Sequence, residues 1–102
     1  MIHVIATIEI VSGRRAAFLA AFHGNVPKVL AEDGCLEYGP AVDIPTDIGA
    51  QIPLREHAVT VVEKWRDLAA LKAHLIAPHM LAYREQVKDL VTKVTLQVLQ
   101  PA

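Results

Sequence analysis

"HAVTVVEKW", residues 57–65, is the stretch on which the fold turns, because it is rich in β-branched residues and keeps a strict period of two. His57, Val59, Val61, Glu63 and Trp65 fall on one face, and Ala58, Thr60, Val62 and Lys64 on the other. A strand of this kind needs a helix after it or a partner strand beside it. Toward the C-terminus, Asp67 is placed as an N-cap for a helical stretch over 68–90, in which Leu68, Leu71, Leu75, Leu81, Val87 and Leu90 recur at near-helical spacing around Pro78. TKVTLQVL, residues 92–99, then reads as a strand with Val94, Leu96 and Val98 on one face. The C-terminal half is a β-α-β unit.

Toward the N-terminus the same reading gives a second unit. DIPTDIGAQIPLRE, residues 43–56, is loop-like and long for a small domain. CLEYGPAV, 35–42, is a strand that Gly39 and Pro40 mark as an edge or a bulge. Phe18, Phe22, Val26, Val29 and Leu30 follow helical spacing up to about Asp33, where Gly34 can end the helix, and Pro27 predicts a bend near His23 and Gly24. IHVIATIEIV, 2–11, opens the chain as a strand with Ile2, Val4, Ala6, Ile8 and Ile10 on one face. The order is βαββαβ. It predicts an α+β, ferredoxin-like domain over 1–102, a four-stranded antiparallel sheet with its helices on one face.

Composition narrows the partners. Ten basic and eleven acidic residues give a net charge of -1, with no basic run to follow a phosphate backbone, so nucleic acid and acidic membranes are not expected. No apolar run approaches the roughly 20 residues of a membrane-spanning helix, the first residues do not read as a signal peptide, and a single cysteine suits a reducing compartment. A soluble cytoplasmic protein is the expectation. The hydrophobic share, 53%, exceeds what one small core uses, and a sheet covered on one side leaves its other face open. A second copy over that face is the expected cover, giving a homodimer.

Phosphate-loop, dinucleotide and zinc-protease patterns are absent. Cys35 has no basic neighbours to activate it and reads as a small buried residue. Of the five histidines, His74 and His79 lie closest in sequence, but a helical chelate uses i, i+4 spacing. Five residues place them roughly 140° apart on a regular helix, so no metal site is predicted. Pro78 has no N–H and its ring presses on the carbonyl of His74, so the helix must bend or divide there. That break could aim His79 and Tyr83 independently of His74, or merely wrap the helix around the sheet. Glu63 beside Trp65 could be a proton-holding carboxyl against an aromatic wall, or Trp65 could fill the core with Glu63 paired to an arginine at the sheet margin.

Three segments together carry a family likeness: "AEDGCLEYG" at 31–39, "VVEKW" at 61–65 and "AHLIAPHM" at 73–80. In this order they resemble the antibiotic biosynthesis monooxygenase family, and within it the quinol monooxygenases, with Asp33 where proline is common and a 43–56 loop longer than usual. The resemblance implies subunits pairing as a dimeric α+β barrel, with a pocket between sheet and helices in each. It implies oxygenation of quinol-like or polyphenolic aromatic substrates by O2, without metal, flavin or haem cofactors.

Such chemistry asks for a base, for which His79 or His74 is suited, and for Glu63 to orient a histidine or the substrate. Trp65 and Tyr38 would form pocket walls, with His79 and Tyr83 pointing into a cavity that faces Trp65. Arg84 could hold a developing anion or lie solvated, and His57 would add a contact from the strand face it shares with Glu63. A dimeric ligand-binding protein without turnover, or a cofactor-free isomerase or lyase, are the alternatives.

Overall fold

The computed structural model describes residues 1–102. Alternation builds the sheet as expected, with strands β1 (Ile2–Ile10), β2 (Cys35–Ala41), β3 (Ala58–Trp65) and β4 (Val91–Leu99). All pairings are antiparallel in the order β2-β3-β1-β4, so each β-α-β unit is split by a strand of the other. This is the ferredoxin-like α+β architecture. The register sets Val4 opposite Glu63, Ala6 opposite Val61 and Ile8 opposite Val59, which turns the apolar sets of β1 and β3 to the same side. There they meet helix α1 (Arg15–Leu30), whose Phe18, Phe22 and Val29 are buried. α1 is one helix to Leu30, with Pro27 inside it.

The second helical stretch is divided. α2 (Leu68–Leu75) starts on the Asp67 side chain, which accepts from the Ala70 N–H at 2.8 Å. It stops because Ala77, preceding a proline, is held extended (φ -61, ψ 141). α3 (Pro78–Val87) then begins with Pro78 at its first turn, where the missing N–H is not needed. The His74 carbonyl recovers a partner from the Ala77 N–H at 3.1 Å.

Between α1 and β2 the chain turns tightly at Gly34, whose φ of +83 favours glycine. A Cβ at this position would sit 2.7 Å from the Ala70 Cβ, so the absence of a side chain lets the turn close onto α2. Arg66 clasps the turn through both Asp33 oxygens at 3.0 Å. Glu32 is thereby carried against the second helical layer.

Two features bear on what the helices leave uncovered. Val94, Leu96 and Val98 do share the helix-side face, yet they are 54%, 44% and 48% exposed, because the helices cover β1, β2 and β3 and stop short of β4. The opposite sheet face, which a second copy was expected to cover, carries His3, Thr7, Glu9, Thr60, Lys64, Thr95 and Gln97 alongside Ile5 and Val62. Exposed apolar side chains also lie on β4 and in the 43–56 loop, where Ile44, Ile48, Ile52 and Leu54 are exposed. That loop is tied at its neck by an Arg55–Asp43 fork at 2.9 and 2.8 Å, which holds the Asp43 carboxyl down to about 2.

Candidate active site

A cavity of about 460 Å³ opens between the sheet and α3, within the range of small-molecule sites. Its floor is the apolar face of the sheet, including Ala6, Ile8 and Val61, and Phe22 of α1 closes one side. Val91, Val94 and Leu96 border the uncovered β4 side. The polar groups converging on it are Tyr38, Glu63, His74, Tyr83, Arg84 and Lys88. Five of the eight site residues named from sequence therefore share one cavity.

Glu63 reaches it from the middle of the sheet, paired across from Val4 on one side and Tyr38 on the other. It is 6% exposed, and its Oε1 accepts from Trp65 Nε1 at 2.9 Å. Burial pushes the carboxyl up to about 7; the Trp65 hydrogen bond pulls it down and the charge of Glu32 raises it further. The second oxygen has no partner in the chain and is not sealed off, so it faces the cavity.

His74 is 2% exposed, its ring lying 4.6 Å from Trp65 and edge-on to Tyr38 at 5.4 Å, centroid to centroid. Burial lowers its pKa, against the opposing pull of Glu32, so the imidazole is neutral at pH 7. Its Nδ1 lies 2.7 Å from Glu32 Oε2, which places the proton on Nδ1 and the lone pair on Nε2. Nε2 bonds to nothing in the chain and opens on the cavity. Tyr38 stacks on Phe22 at 5.3 Å, and Tyr83 meets Phe22 edge-on at 6.0 Å. Burial raises both phenols, so they remain protonated donors. Arg84 stands at the exposed mouth with Lys88.

Three named residues lie elsewhere. Trp65 is wholly buried behind Glu63 and His74 and is not a wall of the cavity; it acts on the site through its hydrogen bond and its ring. His79 does not line the cavity, because α3 restarts at Pro78 and turns its ring toward Glu32, with Nε2 at 3.1 Å from Oε2. The cavity thus holds Tyr83 but not His79, and neither faces Trp65 across open space. His57 precedes β3 in a turn and borders a separate polar recess with Glu9 and Arg55. Alternation gave it the same face as Glu63, but six residues of strand separate them by about 20 Å.

Comparison with known proteins matches the antibiotic biosynthesis monooxygenase profile to residues 1–86. The chain belongs to this family. The Escherichia coli K12 protein called "Probable quinol monooxygenase YgiN" is 40% identical across 99% of this chain and 98% of its own length. Among solved structures, PA3566 of Pseudomonas aeruginosa superposes with a TM-score of 0.80 at 28% identity, covering 99% of this chain and 93% of that one. Rv0793 of Mycobacterium tuberculosis gives 0.77 at 30% identity, with coverage of 99% and 94%.

In this family member, sequence reasoning missed Glu32, the group that both helical histidines touch. Its segment, AEDGCLEYG, was singled out only as a family likeness. The available signal was the acidic residue two positions before a turn glycine. Phe22 and Lys88 were also missed as cavity residues, the first because helical spacing marks it only as core. Cys35 is half-buried, and burial together with the charges of Glu32 and Glu63 raises its thiol, which keeps it protonated.

Proposed function

We propose that this protein is a cofactor-independent monooxygenase of quinol-like or polyphenolic aromatic substrates, working as a homodimer. The observation that carries the reading is a single aromatic-walled cavity faced by a neutral imidazole with its lone pair inward and by a carboxyl that titrates near 7. Membership of a monooxygenase family and the similarity to a protein named as a quinol monooxygenase support the reaction class.

His74 Nε2 is the proposed base. It takes a phenolic proton, and the Glu32 carboxylate at Nδ1 stabilises the imidazolium that forms. Glu63 hydrogen-bonds a second hydroxyl, and Arg84 at the mouth offsets the anion's charge. The electron-rich anion passes an electron to O2, and recombination forms a carbon–oxygen bond. Loss of water, with the His74 proton returned to the departing oxygen, gives a hydroxylated quinone. One quinol and one O2 balance one hydroxyquinone and one water, and no outside reductant is needed. The exposed aliphatic side chains of β4 and the 43–56 loop support pairing with a second copy.

Oxygen uptake on a series of reduced quinones, with mass spectrometry of the product, tests this. Consumption that depends on the quinol, yields a product with one oxygen more and two hydrogens fewer than the quinol and collapses in His74→Ala is expected. Ligand-dependent thermal stabilisation with no product would make the chain a binding protein instead, and anaerobic turnover would make it an isomerase or lyase.

A further inference from the structure

Glu32, His74 and His79 come from three separate elements, the α1–β2 turn, α2 and α3, and one ligand atom from each lies within 4.8 Å of the other two. On a continuous helix the two imidazoles would point roughly 140° apart. The break at Ala77–Pro78 redirects His79 so that both rings address one carboxylate oxygen. The catalytic reading uses only His74 and Glu32, and leaves His79 without a task.

We propose that Glu32, His74 and His79 form a binding site for a zinc-like divalent cation, and that its occupancy reverses the hydrogen-bonding polarity of His74 in the cavity. Two imidazoles and a carboxylate are a known ligand set for zinc with an open fourth position, and nitrogen ligands select such ions over calcium or magnesium. Ligand atoms on a tetrahedral zinc sit about 3.3 Å apart. Here the nitrogen-to-oxygen distances are 2.7 and 3.1 Å, so a small outward shift admits the ion in place of two protons. His79 is half-buried and supplies the freedom and the route of entry. The Trp65 ring beside His74 gives the site an apolar backing.

Coordination through Nδ1 obliges a neutral imidazole to carry its proton on Nε2. The nitrogen that faces the cavity then changes from acceptor to donor, and the base is lost. This effect on turnover, unlike the binding itself, rests on the catalytic reading above.

Zinc chloride alone, titrated into the metal-free protein by calorimetry, should show a single saturable ion per chain. A parallel cobalt titration should develop the visible absorption of a low-symmetry nitrogen-ligated ion. His79→Ala and Glu32→Gln, checked for fold by circular dichroism, should each weaken binding by more than about tenfold, since even outer partners of metal ligands matter that much. His23→Ala should not. Absence of saturable binding, or binding unchanged in both variants, overturns the site. If zinc binds as expected but oxygen uptake is insensitive to it, the site stands and His74 as the base falls. If uptake is inhibited reversibly by zinc in the parent but not in His79→Ala, relative to that variant's own metal-free rate, both stand.

Discussion

Replacing Glu63 by glutamine isolates the consequence of burying an acid in the middle of a sheet. The substitution keeps the size of the side chain and an oxygen for Trp65 Nε1, so the 2.9 Å hydrogen bond has an acceptor in both proteins. What it removes is a proton equilibrium. The carboxyl rises from its ordinary 4.5 to about 7 on folding, a difference of about 2.5 pH units, which corresponds to about 3 kcal/mol. Below about pH 4.5 the group is protonated in folded and unfolded chains alike, and it imposes no penalty. Between that pH and about 7 the unfolded chain ionises first, so the folded state binds more protons and loses stability as the pH rises. Above 7 the loss is complete.

Glu63→Gln has no such slope, and Cys35 and Tyr38, whose titrations the Glu63 charge raises, are protonated between pH 4 and pH 8 in both proteins. The stability of the variant relative to the parent should therefore increase by about 3 kcal/mol between pH 4 and pH 8. Urea denaturation at a series of pH values reads this as a relative midpoint shift of about 1 to 3 M for a domain of this size. If the two stability curves remain parallel across the range, the carboxyl is not held as an acid by burial, and its assigned place in the cavity is wrong.

Trp65→Phe removes the N–H that favours ionised Glu63 while leaving a ring near His74, and should raise the Glu63 titration by about 1 to 2 pH units, read by carbon-13 NMR of the carboxyl. An unchanged or lower midpoint would refute the assigned role of that bond. Gly34→Ala forces a side chain into positive φ and against Ala70, and should destabilise the fold by about 1–3 kcal/mol in urea unfolding. A neutral result would mean that the turn closing Glu32 onto α2 is slack. His74→Ala should lower turnover by about 10²- to 10⁴-fold, the usual contribution of a positioned base, with Glu32→Gln intermediate because it retains an acceptor for Nδ1 but not the charge. Equal rates in all three proteins would remove the pair from the mechanism.

The sheet was readable because β1 and β3 alternate cleanly, and the split of the second helical stretch because Pro78 announces it. Three properties of the site were not readable, each for a different reason. Alternation assigns a face but not depth, so it leaves open whether Trp65 walls the cavity or fills the core beneath it, whereas the distance of His57 from Glu63 follows from six residues of strand rise and was legible. The direction of His79 depends on how α3 restarts after Ala77, which spacing on a regular helix cannot describe. Glu32 meets His74 across 42 residues of chain, through a contact that exists only because Gly34 lets a turn close on Ala70. No local pattern in the sequence encodes that meeting.

The Asp43–Arg55 fork also sets apart the segment that it closes. By pinning the two ends of the long loop at 2.8 and 2.9 Å, it uncouples what lies between them from the register of β2 and β3. Closing a longer loop adds little entropy, about 0.6 kcal/mol for each doubling of its length. Residues 44–54 are thus a cassette on a fixed bracket, a place where insertions and exchanges can accumulate and be selected while the strands that hold Glu63 and Tyr38 stay in step.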